Sequence, residues 1–251
     1  RQGVVNIGFQ KQWLLPAITS TNEENSKSNW KDKIKEVDNL KIKKVAVFLT
    51  VLQQDKRKEL YGLLEKTSLQ QIPFVHIRSD MEAWELEYLI KRWGAKIFNT
   101  HSQQEFPFKY NLDKFKKMIF VENVFVSFNK EEIEQFAGIC LDISHLENDR
   151  LLRPESFWFF TKMLEKYPIG CNHISPVRKK SEVVVKESGI ARYDRHVFKK
   201  LSEFNYLKRY PLKYFSHFCA IEVENSLKDQ LKAIDYICKL IREGEQGGKF
   251  F

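Results

Sequence analysis

The chain has 251 residues, of which 43% are hydrophobic and 14% aromatic, so it is too apolar for an intrinsically disordered protein and long enough to bury a large core. Its 42 basic and 33 acidic side chains give a formal charge of +9, which favours polyanionic partners such as nucleic acid, although a lysine-rich solvated surface is the more ordinary cause. No apolar run approaches the length of a membrane span, and four cysteines are too few for a disulfide scaffold, so we expect a cytoplasmic protein with no membrane partner.

Short apolar runs alternate with segments of helical period along the whole chain. Eight runs predict strands over residues 4–9, 44–50, 73–78, 96–101, 118–124, 138–143, 169–174 and 218–223. Between them, the apolar spacing predicts helices over residues 55–65 and 82–93. A further helix follows the last strand: Ser226 and Asp229 resemble a capping box, and Gly244 stands where we expect the helix to end.

The alternation of eight strands with helices is typical of a single (β/α)8 TIM barrel, predicted here to span residues 1–251. An open, doubly wound sheet is the alternative fold. That fold usually has a glycine-rich first turn for phosphate, and residues 10–13, after the first predicted strand, contain no glycine. We therefore favour the barrel, whose active groups lie at the carboxyl ends of the strands.

Potential metal ligands stand at the ends of the last six predicted strands. A single histidine or carboxylate at such a position is usually structural, but a ligand at six successive strand ends is hard to obtain from scattered polar residues. Converging imidazoles and carboxylates are the ligand set of Zn²⁺ or Mn²⁺. The residues are His76, His101, Glu122, Asp142, His173 and Glu222, with His145 three positions after Asp142.

Strand alternation also excludes some residues from this site. It places His217 on the face opposite Glu222, so we expect His217 to point toward the helices. Glu224 shares the parity of Glu222 but lies beyond the strand, and it is the reserve candidate for that position. The cysteines in predicted strands are interpreted as packing residues rather than metal ligands: Cys140, Cys171 and Cys219.

The connection after the seventh predicted strand contains a second motif, Asp194-Arg195-His196. It brings a carboxylate and an imidazole close together on an irregular segment. With His145, these residues predict a further metal site. The alternative is the start of a helix, with Asp194 as its N-cap.

The order His, His, Glu, Asp-x-x-His, His, Asp-Arg-His, Glu resembles endonuclease IV, in the xylose-isomerase-like barrel superfamily. The resemblance runs from about His76 to Glu222 and is most specific at residues 140–145 and 194–196. It implies up to three zinc ions. One would be held by His76, His101 and Glu122, the second by Glu122, Asp142, His173 and Glu222, and the third by His145, Asp194 and His196.

The resemblance further implies a metal-dependent phosphodiesterase that cleaves DNA at abasic sites during DNA repair, with ion-activated water as the nucleophile. Glu122, Asp142 and Glu222 would carry the catalysis. The loops at the barrel mouth would contact DNA, and we expect phosphate contacts from Arg178, Lys179, Lys180 and Arg195. The alternative to DNA binding is that these basic residues belong to a solvated loop. Residues 102–104 and 197–199 depart from the Pro-Gly and Asn-Ile-Gly that the family usually has there.

Two other functions stay open. The subset Glu122, Asp142, His173 and Glu222 is similar to the single-metal site of sugar or sugar phosphate isomerases and epimerases on the same scaffold. Asp194 and His196 favour the nuclease, because a mononuclear isomerase does not need them. The third possibility is a barrel without chemistry that serves as a binding module. No protein partner can be inferred from the sequence.

Overall fold

The computed structural model describes residues 8–20, 29–124, 130–179, 184–185 and 191–247. Nine of its strands form one sheet in which all neighbours are parallel, and two short strands form a separate antiparallel pair. The strands are β1 (Leu14–Leu15), β2 (Ala17–Ile18), β3 (Lys44–Phe48), β4 (Gln71–His76), β5 (Ile97–Thr100), β6 (Ile119–Glu122), β7 (Gly138–Asp142), β8 (Ile169–Ile174), β9 (Val184–Val185), β10 (Ala191–Arg192) and β11 (Cys219–Ile221).

The sheet curves into a nearly closed parallel barrel. Its order is β1-β11-β8-β7-β6-β5-β4-β3-β2, so its two ends are β1 and β2. Only Pro16 separates these two strands in the chain; its carbonyl accepts a hydrogen bond from the Ala46 amide at 2.9 Å. Proline lacks the N–H that a continuous strand would donate, which explains the break at this position.

The seven predicted strands from residue 44 onward are confirmed, with ends that differ by at most two residues. The first predicted strand, over residues 4–9, lies largely outside the described residues, and its described part is not a strand. The first position in the barrel is filled by β1 and β2 instead. Pro16 interrupts the apolar run over residues 14–18, so the spacing of apolar residues there does not predict a strand.

Helices follow most of the barrel strands, and the predicted helices over residues 55–65 and 82–93 are confirmed to within one residue. Shorter 3-10 helices cover Lys11–Trp13, Asp113–Met118, Leu201–Arg209 and Leu212–Tyr214. The α-helices of the described residues are α1 (Trp30–Asn39), α2 (Gln54–Leu64), α3 (Ala83–Trp93), α4 (Lys130–Gln135), α5 (Ile143–Leu152), α6 (Pro154–Leu164) and α7 (Leu227–Gly247). None of these helices is long and apolar enough to cross a membrane.

The last helix begins as predicted but ends later. The Asp229 amide donates to Ser226 Oγ at 3.2 Å, and the two side chains lie 3.1 Å apart. The predicted end at Gly244 is wrong, because α7 continues to Gly247. A Cβ atom at Gly244 would lie 3.0 Å from the Lys208 carbonyl oxygen. The glycine therefore permits close contact with the 3-10 helix Leu201–Arg209 rather than ending the helix.

The buried side chains form two layers. A large apolar core packs the outer strand faces against the helices and includes Val47, Val75 and Ile139. A smaller cluster fills the inside of the barrel and includes Phe48 and Phe74. Because strand side chains alternate, the residues that follow this inner cluster by two positions also point inward, toward the carboxyl ends of the strands.

Candidate metal centre

The inward-pointing residues at the carboxyl ends of the strands are mostly ionisable. Five of the predicted ligands stand two positions after a side chain of the barrel interior or one packed against it. His76 and His173 lie within β4 and β8, and Asp142 ends β7. Strand parity thus brings together groups from separate segments. The five pairs are Phe74 and His76, Phe120 and Glu122, Cys140 and Asp142, Cys171 and His173, and Ala220 and Glu222.

Glu122 lies at the centre of this cluster, and its side chain is only 2% exposed. Its Oε2 atom lies 3.0 Å from His76 Nε2 and accepts a hydrogen bond from Asn99 Nδ2 at 2.9 Å. His173 Nδ1 lies 3.3 Å and His101 Nε2 3.8 Å from the same oxygen. Burial alone would raise the pKa of Glu122, but His173 and its other neighbours hold it well below the ordinary value. The carboxylate is therefore kept ionised in a buried position.

Asp142 combines a structural role with an oxygen that points into the cluster. Its Oδ1 atom caps α5 by accepting hydrogen bonds from the Ser144 amide at 2.7 Å and the His145 amide at 3.0 Å. Its Oδ2 atom is buried and has no hydrogen-bond partner. Burial raises the pKa of Asp142. The Asp-x-x-His spacing is thus the start of a helix that follows directly from β7. One oxygen of the Asp142 carboxylate caps this helix, and the other is left to bind a metal ion.

His173 lies between two carboxylates and two aromatic rings. Its Nδ1 atom is 3.4 Å from Glu222 Oε2, and its ring centroid lies 4.7 Å from that of Phe48 and 5.6 Å from that of Phe74. Both ring nitrogens are buried without a hydrogen-bond partner. Burial would lower the pKa of His173, but contacts with Cys140 and Glu122 raise it well above the ordinary value. Burial likewise would raise the pKa of Glu222, but His196 and His173 lower it to about 2.

The donor atoms form groups that could hold a metal ion. In each group, one ligand atom per residue lies within 4.8 Å of the others. All three groups contain Glu122, which is joined by His76 and His101 in one, by Asp142, His173 and Glu222 in the second, and by Cys140 and His173 in the third. Among the described residues, the buried side-chain atoms without a hydrogen-bond partner fit this interpretation, since buried polar atoms are nearly always satisfied. They are Thr50 Oγ1, Asn99 Oδ1, Asp142 Oδ2, His173 Nδ1 and His173 Nε2, and three of the five belong to one of these groups.

Comparison with known proteins adds no further constraint. The chain matches no protein-family model and no curated protein. What the structure supports is a nearly closed parallel barrel with a buried cluster of histidines and carboxylates that could hold a metal ion. The identity of that ion depends on the donor chemistry, in which imidazole and carboxylate oxygen suit Zn²⁺ or Mn²⁺.

Two of the three residues predicted to hold a third ion contact an arginine. Arg192 Nε donates to Asp194 Oδ1 at 2.9 Å, and Arg192 Nη2 bonds to Asp194 Oδ2. The same Nη2 atom lies 2.8 Å from His145 Nε2. Because a guanidinium can only donate, His145 accepts here and carries its proton on Nδ1, which lies 2.8 Å from the Asn123 carbonyl oxygen. A fixed positive charge thus lies between two of the predicted ligands.

Asp194 is also held by α5. Asn148 Nδ2 bonds to Asp194 Oδ1, and Asn148 Oδ1 accepts from the Asp194 amide at 3.2 Å. Asp194 pairs with Val177 in an isolated antiparallel bridge, so it is not the N-cap of a helix. His196 is half-buried and close enough to Asp194 to help lower the pKa of that carboxylate. The third zinc site therefore stays a prediction, and Arg192 competes for its position.

The residues predicted to contact DNA differ in their surroundings. Arg178 bonds to the Glu203 carboxylate and donates from Nη2 to the Val197 carbonyl oxygen at 2.7 Å. Lys179 is exposed, Arg195 is half-buried, and Lys180 lies outside the described residues. Arg178 therefore ties the connection after β8 to the 3-10 helix Leu201–Arg209.

Both residues left out of the predicted site lie outside the cluster, but His217 does not point toward the helices as predicted. His217 precedes β11 at the opposite end of the barrel, where it is exposed and stacks on Trp13 with ring centroids 4.2 Å apart. Glu224 is buried and pairs with Lys33 across 3.0 Å. The reserve carboxylate thus forms an ion pair, and Glu222 is the one that lies within the ligand cluster.

Sequence reasoning missed two residues that contact the cluster. Asn99 donates to Glu122 and lies in β5, two positions before His101. Its signal was present: an amide inside an otherwise apolar strand, with the same parity as a predicted ligand. The second is Arg192, which is buried against Asp194. No local pattern predicts that position, because it depends on the pairing of β10 with β9.

Proposed function

We propose that the protein is a metal-dependent phosphodiester hydrolase with an endonuclease IV-like (β/α)8 barrel, in which β1 and β2 together make the first strand. The single observation that carries the proposal is that the Glu122 carboxylate belongs both to a group with His76 and His101 and to a group with Asp142, His173 and Glu222. A carboxylate between two neighbouring groups is the arrangement of a two-metal site, and such sites are common in enzymes that cleave phosphate esters. The resemblance in ligand order supports the same class.

The predicted ligands would bind two metal ions. His76, His101 and Glu122 would hold one ion, and Glu122, Asp142, His173 and Glu222 would hold the other. When bound, two dications lower the pKa of water and neutralise the oxygens of the transferred phosphate group. Asn99 orients Glu122 through its hydrogen bond, and the α5 amides hold Asp142 with one oxygen directed inward.

The substrate that we propose is DNA with an abasic site. The support is the formal charge of +9 and the position of the cluster at the carboxyl ends of the strands, the end from which the segment with Lys179 leaves β8. A cavity of about 140 Å³ adjoins the cluster and is lined by Thr50, Arg78, His101 and Phe106. It is smaller than the roughly 300–1,000 Å³ typical of ligand pockets, so it suits a sugar-sized group rather than a larger ligand.

The test is nicking of a duplex that carries one abasic site. We expect cleavage that a chelator abolishes and that Zn²⁺ or Mn²⁺ restores, and we expect loss of cleavage in His101→Ala. His217→Ala is the matched control, because it removes an imidazole at the opposite end of the barrel. Equal activity in the two variants, or cleavage that persists in chelator, would reject the proposal.

An isomerase or epimerase of sugars or sugar phosphates is the second candidate. One observation favours it: Arg192 binds Asp194, one of the two residues that distinguish the nuclease, and also lies against His145, another predicted ligand of the third ion. The remaining set of Glu122, Asp142, His173 and Glu222 suits a single ion. Interconversion of ketoses without any nicking of abasic DNA would support this alternative.

A further inference from the structure

Cys140 lies directly beneath the candidate metal centre. It stands in β7 two positions before Asp142, and its Cα atom is paired in register with Glu122 of β6 and with Cys171 of β8. Its side chain therefore points into the barrel, and it is 0% exposed. The thiol therefore belongs to the layer of side chains inside the barrel that lies next to the carboxylates and imidazoles.

The thiol is close enough to share an ion with two of the predicted ligands. Cys140 Sγ, a Glu122 oxygen and a His173 ring nitrogen all lie within 4.8 Å of one another. His173 supplies an independent sign of a ligand, because both of its ring nitrogens are completely buried and neither has a hydrogen-bond partner. An imidazole in that state is costly unless something binds it.

We propose that Cys140 Sγ is a ligand of an ion that Glu122 and His173 also hold, which makes the centre selective for a thiophilic dication such as Zn²⁺. The inference rests on the metal centre of the proposed function and adds a donor to it. Cysteine sulfur, histidine nitrogen and carboxylate oxygen are all ligands of Zn²⁺ in proteins, and thiolates favour Zn²⁺ over Mn²⁺ or Mg²⁺. Binding forms a metal–sulfur bond and releases the thiol proton to solvent.

The other barrel cysteines provide controls. Cys219 lies in β11 and its thiol approaches Asn172 Oδ1 at 3.4 Å and the Ser216 carbonyl oxygen at 3.2 Å. It belongs to the core between strands and helices rather than to the barrel interior. Cys171 shares the interior with Cys140, but it lies in none of the ligand groups found among the described residues.

The experiment is X-ray absorption at the zinc edge on the full chain loaded with Zn²⁺. We expect a sulfur shell at about 2.3 Å beside nitrogen and oxygen at about 2.0–2.2 Å. Cys140→Ser should lose the sulfur shell, whereas Cys219→Ser and Cys171→Ser should keep it. Circular dichroism establishes that each variant is folded. A second measurement uses the unaltered chain and so does not depend on whether the variants fold. The protein loaded with Co²⁺ should show a thiolate-to-cobalt charge-transfer band.

The outcomes separate this inference from the proposed function. Bound zinc with only nitrogen and oxygen neighbours, and no charge-transfer band with Co²⁺, would overturn the thiol ligand and leave the metal centre standing. Failure to bind any zinc would overturn both. A sulfur shell that survives in Cys140→Ser but disappears in Cys171→Ser would also overturn the assignment of Cys140.

Discussion

The Arg192 guanidinium allows a test of what occupies the position predicted for a third ion. The side chain of Arg192 is 9% exposed and that of Asp194 is 1% exposed, and the two form a hydrogen-bonded ion pair. Arg192→Met keeps much of the apolar stem but leaves the buried Asp194 carboxylate without the guanidinium. Breaking a buried ion pair by removing one partner costs about 3–5 kcal/mol. At about 2–4 °C per kcal/mol for a chain of this size, the melting temperature should fall by roughly 6–20 °C.

The assay is thermal unfolding followed by circular dichroism in the presence of a chelator. Arg153→Met is the matched control, because Arg153 pairs with Asp149 at 2.7 Å but the two side chains are 33% and 20% exposed. Partly exposed pairs contribute about 1 kcal/mol or less, so this variant should lose only a few degrees. If Arg192→Met loses no more than Arg153→Met, the buried ion pair does not stabilise the fold as argued.

Adding Zn²⁺ extends the same test to metal binding. Without the guanidinium, His145, Asp194 and His196 would no longer face a competing fixed charge, so Zn²⁺ should stabilise Arg192→Met more than the unaltered chain. Elemental analysis should then give about two ions per unaltered chain and about one more in the variant. Three ions in the unaltered chain would mean that Arg192 yields its position to the metal, as the resemblance to endonuclease IV implies.

Three further predictions concern the centre itself. Chelation should lower the melting temperature of the unaltered chain, because it leaves the clustered Glu122, Asp142 and Glu222 without a neutralising dication; an unchanged melting curve would argue against a bound ion. Asn99→Ala should weaken Zn²⁺ binding about 10–100-fold in a chelator competition, because Asn99 orients Glu122, and unaltered affinity would contradict that role. In metal-free protein, burial lowers the pKa of His101 to about 4 from 6.5, so the unfolded chain binds the proton first. His101 should therefore make stability fall as the pH drops from 6.5 to about 4, and His101→Gln should reduce that slope in urea unfolding.

Much of the barrel could be predicted from the sequence because its signals are local. Apolar runs of strand length and helical spacing depend only on neighbouring residues, and seven strands and three helices follow from them. The ligand cluster was predicted for a similar reason. A polar residue such as His76, Asp142 or Glu222 at the inward-facing end of an apolar run meets the others at one end of the barrel once the strands are parallel. His217 lies outside the cluster, as predicted, but because it precedes β11 at the opposite end of the barrel rather than because of strand parity.

The tertiary structure decided what depends on pairs of residues far apart in the chain. The break at Pro16, the hydrogen bond from Asn99 to Glu122 and the contact of Arg192 with His145 join segments whose local sequence does not identify the partner residue. Gly244 shows the same limit, since it was expected to end a helix and instead accommodates the backbone of Lys208. Periodicity states which side of a strand or helix is buried, but only packing determines which group meets it there.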